Sequence, residues 1–432
     1  MRLAKKMRAV AVFGAVGLVS VGLIGCAANN TSGGTANAKN NLEITSWWTS
    51  GSEVAALDVL INGVKAADKG LTVSNAAVSG GGGANARQAL AARLQAGDPP
   101  ASWQIHPGGQ LKGYVDGKQV ADISALWKKN GWEALLPKEV AAVQRVDGKY
   151  YTVPIGVHRG NVVWTNPAVL KAAGVTINAT GTVDEFITGL NAIKASGVTP
   201  VCLGDKDVFA SSELLESILM SRLGASNWNA LFTGKFSFKA PEVAQALADY
   251  KTILSLSNSD HAALTWDEAA KKMATGACGV NIMGDWAYGE LVNAGNKPGE
   301  NFGWATFPGA ADIFDYVGDG FSIPAENNPN SKASEAWLKV IMDPKIQTAF
   351  AAQKGSIPAL STADTSSLSK YQQEAVASFK TAAVVSSLTH GQASTGELSQ
   401  TYADAVSAFN GDNNAAAFVA TMSAAQATQL TK

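Results

Sequence analysis

Leu42-Glu43-Ile44-Thr45-Ser46-Trp47 alternates apolar and polar side chains, the period of a strand with one buried face. A polar turn follows, then a helical period from about Glu53 to Ala67, and Leu71 to Ser79 reads as a second strand. That order implies a βαβ unit and hence a parallel sheet. Gly80-Gly81-Gly82-Gly83 reads as a flexible turn, and the helix after it carries Leu90 and Leu94 on one face until Gly97 and Pro99-Pro100 stop it. In a third strand, Ser102 to His106, the period of two sets Trp103 and Ile105 on one face and Gln104 and His106 on the other.

The chain from Tyr150 to Trp164 is extended, and the βα rhythm then restarts, which predicts a second lobe. Two capping boxes mark helix starts there, Thr182-Val183-Asp184-Glu185 and Thr265-Trp266-Asp267-Glu268. From Ala277 to Ala287 a buried strand ends at Gly284, and Asp285 and Trp286 stand where a helix begins. Loops after the carboxyl ends of strands are where open α/β sheets meet ligands. Asp285 or Trp286 is therefore a candidate ligand contact, against the plainer reading of a cap and a packed indole. Phe302 to Pro308 and Tyr316 to Pro324 are again extended, with Asp319 between two glycines. Helices follow at about Ser331 to Met342 and Pro344 to Gln353, ended by Lys354-Gly355, and the helical tail from Ser367 is broken at Leu388-Thr389-His390-Gly391.

The N-terminus changes the picture. Arg2, Lys5, Lys6 and Arg8 precede an uncharged run, Ala9 to Ile24, as in a secretory signal. Leu23-Ile24-Gly25-Cys26 resembles the lipobox of bacterial lipoproteins, in which the cysteine is acylated and becomes the first mature residue. A plain membrane anchor is the alternative, but the run is short of the roughly 20 residues a span needs. The expectation is a removed segment 1–25, a flexible tether 26–40, and a body held outside the cell by lipid on Cys26.

Of 432 residues only 16% are charged and the formal net charge is −1, without a basic stripe, which argues against a nucleic-acid partner. The glycine run lacks the Gly-Lys-Ser/Thr of a phosphate cradle, and there is no nucleophile elbow. None of the four histidines has a neighbour at zinc spacing, so neither metal nor cofactor is expected. Eleven tryptophans suit a core or a sugar-stacking cleft. Cys202 and Cys278 both sit in strand-like apolar runs. In an oxidising compartment they are either a disulfide, worth roughly 4 kcal/mol, or two buried thiols on adjacent strands.

Five segments in order, Ser46-Trp47-Trp48, Gly97-Asp98-Pro99-Pro100 before Gln104-Ile105-His106, Val157-His158-Arg159, Asn281 to Trp286, and Lys354-Gly355-Ser356-Ile357, carry a family likeness. They resemble the glucose-binding branch of ABC-transporter extracellular solute-binding proteins, within the maltose-binding-like family 1. The resemblance implies an α/β fold, two-lobed and periplasmic-binding-protein-like (type II), each lobe a mainly parallel sheet flanked by helices, with the ligand cleft between lobes. It divides the chain into an N-terminal lobe, 41–154 and 308–356, and a C-terminal lobe, 157–305 and 358–432, with crossovers near 152–161, 304–308 and 356–360.

The same resemblance supplies site residues. A pyranose shows apolar C–H faces and a rim of hydroxyls, so it needs flat aromatics and planar polar groups. Trp47, Trp48, Trp266 and Trp286 offer the faces, Asp319 a bidentate acceptor, Lys354 a donor, and Gln104, His106, His158 and His390 the rim. Glu53 either reaches the pocket or caps its helix, and Asp285 fits an N-cap, which leaves Trp286 to the cleft. The implied function is a monomeric receptor that captures a monosaccharide, glucose or a related hexose, and delivers it to the permease subunits of an ABC importer. A binder of small oligosaccharides is the alternative. A surface glycoside hydrolase is a second, but it needs two carboxylates about 5 to 9.5 Å apart, and only Asp319 is a convincing cleft acid. Gln104, Asp319 and loop lengths near Trp228 are expected to choose among sugars.

Overall fold

The first βαβ unit forms as the pattern predicts. In the computed structural model, which describes residues 40–430, β1 (Asn41–Thr45) pairs in parallel with β2 (Thr72–Asn75) and with β3 (Ser102–Ile105). The helix Gly51–Ala67 crosses between β1 and β2 and buries Ala56, Leu57, Leu60 and Val64. Glu53 Oε2 accepts the backbone N–H groups of Thr49 and Ser50, which ties down the first turn.

A small hairpin, β4 (Arg145–Val146) and β5 (Lys149–Tyr150), precedes the long strand β6 (Val153–Arg159). The chain then enters a second sheet through β7 (Val162–Thr165), β8 (Thr199–Val201), β9 (Cys278–Ile282) and β10 (Gly303–Thr306). It returns by β11 (Ile313–Ser322), β12 (Ile357–Pro358) and β13 (Ala383–Ser386). The larger sheet has the order β12-β6-β11-β3-β1-β2, with β13 on β11, and the smaller one β10-β7-β9-β8.

These sheets correct one expectation: neither is mainly parallel. β11 runs antiparallel to both β3 and β6, β12 runs antiparallel to β6, and in the smaller sheet β8–β9 alone is parallel. The reason is the crossover. β6 and β11 carry the chain out of one lobe and back, so they traverse the larger sheet in opposite directions, whereas a parallel pair needs a helical return on the same lobe.

A hydrophobic cluster containing Leu42, Ile44 and Trp337 extends from the larger sheet to Met273 and Cys278 beside the smaller one, and a second gathers Leu214, Tyr250, Tyr402 and Phe409 around the helix Phe209–Leu231. The C-terminal helices Gly396–Asp412 and Ala415–Gln429 belong to the second cluster. Cys202, just after β8, and Cys278, the first residue of β9, are joined as a disulfide with a Cα–Cα distance of 5.5 Å. The signal run and Cys26 lie outside the described residues. No described helix is long and apolar enough to cross a membrane.

Candidate functional site

The site grows from the middle of β11. Its first half pairs with β13 and its last three residues with β3, so at Val317-Gly318-Asp319 this flank of the strand has no strand beside it. Side chains fill the gap: Gln392 Oε1 accepts from Gly318 N–H, and His106 Nδ1 lies 3.0 Å from Gly318 O. On the other flank β6 pairs from Tyr316 to Phe321, and the register shifts between Asp319 and Gly320. Such a bulge re-aims a side chain. Val317 is opposite His158 and Asp319 opposite Gly156, so Asp319 and His158 share one face as diagonal neighbours, with no side chain facing Asp319 directly.

Asp319 is 2% exposed. Its Oδ1 accepts from Gln104 Nε2 at 3.0 Å and its Oδ2 lies 3.2 Å from His158 Nε2. The other nitrogen of His158 meets the Asp285 carboxylate, whose second oxygen takes the N–H of Arg159 at 3.0 Å. Burial opposes charge on both partners, but the two carboxylates outweigh it at His158 and raise its pKa. Burial would likewise push the Asp319 carboxyl up, yet the His158 hydrogen bond and the nearby cations hold it well below the usual carboxylate range. The imidazole between two carboxylates is thus shifted toward its protonated form. His106 behaves oppositely: burial outweighs the attraction of Asp319 and pulls its pKa down to about 4. Neutral, it donates from Nδ1 to Gly318 O and keeps Nε2 as an acceptor. Burial also holds His390 well below its ordinary range, and its Nδ1 bonds Ser387 Oγ at 2.7 Å.

These groups open on a cavity of about 540 Å³, within the size range of small-molecule sites. Trp47 lies over the His106 ring at 4.8 Å, and Trp286 meets the rings of His158 and His390 at 5.4 and 5.3 Å. Gly284 makes room for that indole, since a Cβ there would fall 2.2 Å from it. Lys354, the last residue of the helix Pro344–Lys354, places its Nζ 3.0 Å from Glu53 Oε1 and 5.9 Å from the ring centres of both Trp48 and Trp286. Trp266 reaches the cavity from the first turn of the helix Trp266–Ala274. Trp48 is 1% exposed and packs on Phe321 and Phe350 at the edge of the cavity.

Nine of the ten residues named from sequence therefore line one cavity, and Gln104 stands behind it. Its amide oxygen accepts from Trp47 N–H at 3.1 Å while its nitrogen holds Asp319, so it positions two lining groups at once. Glu53 does both jobs left open for it, capping its helix and meeting Lys354. Asp285 does not cap: no side-chain bond to its own helix forms, because both its oxygens go to His158 and Arg159. Trp228 lies in no loop; it is fully buried in the helix Phe209–Leu231, with its indole N–H on Ser386 O. Asp207 and Phe209 also line the cavity and were missed. Nothing local in the sequence marks them, apart from the glycine run they turn out to touch.

An uncharacterised ABC transporter extracellular-binding protein of Pyrococcus horikoshii is 33% identical over 349 residues, 79% of this chain and 77% of that one. A probable sugar-binding periplasmic protein of Brucella melitensis is 28% identical over 91% of this chain and 94% of its own. Among solved structures, a chitin oligosaccharide binding protein superposes with a TM-score of 0.79 over 91% of this chain and 99% of that one, at 19% identity, which shows a shared fold. The family model described as bacterial extracellular solute-binding protein matches residues 48–348, and with two lobes around a lined cleft the chain belongs to that family.

Proposed function

We propose that this protein captures a sugar in the cleft between its lobes and delivers it to the permease of an ABC importer. The observation that carries this is Asp319. It is ionised and buried, with one oxygen on Gln104 and the other on His158, so it keeps lone pairs for the cavity. Around it stand the indole faces of Trp47 and Trp286, the neutral acceptor His106 and the cation Lys354. Vicinal hydroxyls on an apolar ring match that set. The sugar-binding name of the Brucella relative supports the same reading.

The preferred ligand is a monosaccharide, glucose or a related hexose, and the ten named residues form or support its site. The receptor acts as a monomer, anchored outside the cell by lipid on Cys26, with lobes 41–154 plus 308–356 and 157–305 plus 358–432. Hydrolysis fits less well. A glycosidase needs a protonated acid beside its second carboxylate, but Asp319 is held ionised and Glu53 has its oxygens on Lys354 and two backbone N–H groups. The test is a thermal-shift panel of glucose, galactose, mannose, xylose and aryl-glycosides. A stabilising hexose recovered intact supports the receptor, and chromophore release that disappears in Asp319→Asn supports the hydrolase.

A further inference from the structure

A second cavity, of about 640 Å³, lies beyond the first and is lined by side chains such as Arg87, Gln110, Gln400 and Tyr402. Asn85, Asp207 and Phe209 line both. What separates them is one contact between lobes, the glycine run against Asp207-Val208-Phe209. Gly81 N–H donates to Asp207 Oδ2 at 2.5 Å. A Cβ on Gly82 would fall 2.6 Å from the Phe209 ring and one on Gly83 2.8 Å from the Trp47 indole. The loop backbone thus passes between two aromatic rings, a passage open to glycine alone. All four glycines hold positive φ, from 54° to 99°.

The opposing side is costly to build. Val208 holds φ 65°, which a β-branched residue rarely adopts, and strain of this kind collects at ligand clamps. It delivers the Phe209 ring 6.0 Å from Trp286 and 5.4 Å from His390, so the partition is also a wall of the first cavity.

Resting on the sugar-receptor reading, we propose that the contact of Gly81 and Gly82 with Asp207 and Phe209 sets the length of saccharide accepted. Closed, it bounds the first cavity; removed, it joins that cavity to a second one whose amide, hydroxyl and guanidinium groups match the hydroxyls of further sugar units.

The test measures affinity by calorimetry for the best-bound monosaccharide and for its disaccharide and trisaccharide, in wild type, Phe209→Ala and Asp207→Ala. In the wild type the monosaccharide binds tightest. Phe209→Ala lowers the ratio of monosaccharide to trisaccharide affinity by roughly tenfold or more, and Asp207→Ala shifts it the same way by less. If Phe209→Ala does not fold, Asp207→Ala and Gly82→Ala decide by the same ratio. A ratio unchanged in folded variants that still bind sugar overturns the partition alone, as does a wild type that prefers the trisaccharide. A wild type that binds no sugar overturns the receptor reading and this inference with it.

Discussion

His158 and Asp319 meet diagonally across neighbouring antiparallel strands, Nε2 to Oδ2 at 3.2 Å. Asp285 grips the opposite ring nitrogen, so the imidazole is locked in plane and orientation, and the two carboxylates favour its protonated form. This arrangement fixes the Asp319 carboxylate before any ligand arrives, and a preorganised acceptor costs less on binding than one that must be ordered.

Gln104→Ala frees Asp319 and the Trp47 backbone together. Sugar affinity falls by about tenfold, while in an Asp319→Ala background the same substitution changes it little. A double-mutant cycle by calorimetry reads this as a coupling between about 0.5 and 3 kcal/mol. Additive losses contradict the positioning role.

Trp286→Ala removes a ring that touches His158, His390 and Phe209. The loss of stacking weakens sugar binding by about 1 kcal/mol or more, with far-ultraviolet dichroism unchanged. An unchanged calorimetric titration takes this indole out of the site.

Stability depends on pH through His106. Its folded pKa of about 4 lies below the ordinary 6.5, so between those values the unfolded chain binds a proton that the folded chain does not. Stability therefore rises as pH is raised through that window and falls as pH is lowered through it. His390 is shifted in the same direction. His158 is shifted oppositely, and its contribution is present at low pH and lost only as pH climbs through its raised value. Urea unfolding of His106→Asn shows a flatter slope from about pH 4 to pH 6.5, by up to about 3 kcal/mol. A slope equal to wild type contradicts the buried neutral ring.

The Cys202–Cys278 bridge closes a separation of 76 residues within the smaller-sheet lobe. Replacing both cysteines by serine costs roughly 4 kcal/mol, read as a lower denaturant midpoint. Sugar affinity is retained, because neither cysteine lines the cavity. Two alkylatable thiols in the unreduced wild type contradict the bridge.

Local order was legible where local chemistry decides it. The alternation of Ser102 to His106 placed Gln104 and His106 on one face, and both do turn toward Asp319. What Gln104 does there was not legible, because its partners are 57 and 215 residues away. Tyr316 to Pro324 reads as extended, and Asp319 does lie in a strand; the register shift beside it depends on β6, which the sequence places far off. Asp285 reads as a cap because of its neighbours, and becomes a partner of His158 because of a fold that brings residue 158 beside it. The glycine run announces permitted backbone angles. It does not announce that Phe209 and Trp47 will close around it.

Calorimetric titration of the wild-type protein with glucose and its epimers, repeated on Asp319→Asn, decides whether this carboxylate holds a sugar. One site is expected, saturable by a hexose, with affinity lowered roughly tenfold or more when the charge-assisted bonds of the carboxylate are lost. Binding of equal strength in Asp319→Asn, or no heat with any sugar in a folded wild type, contradicts it.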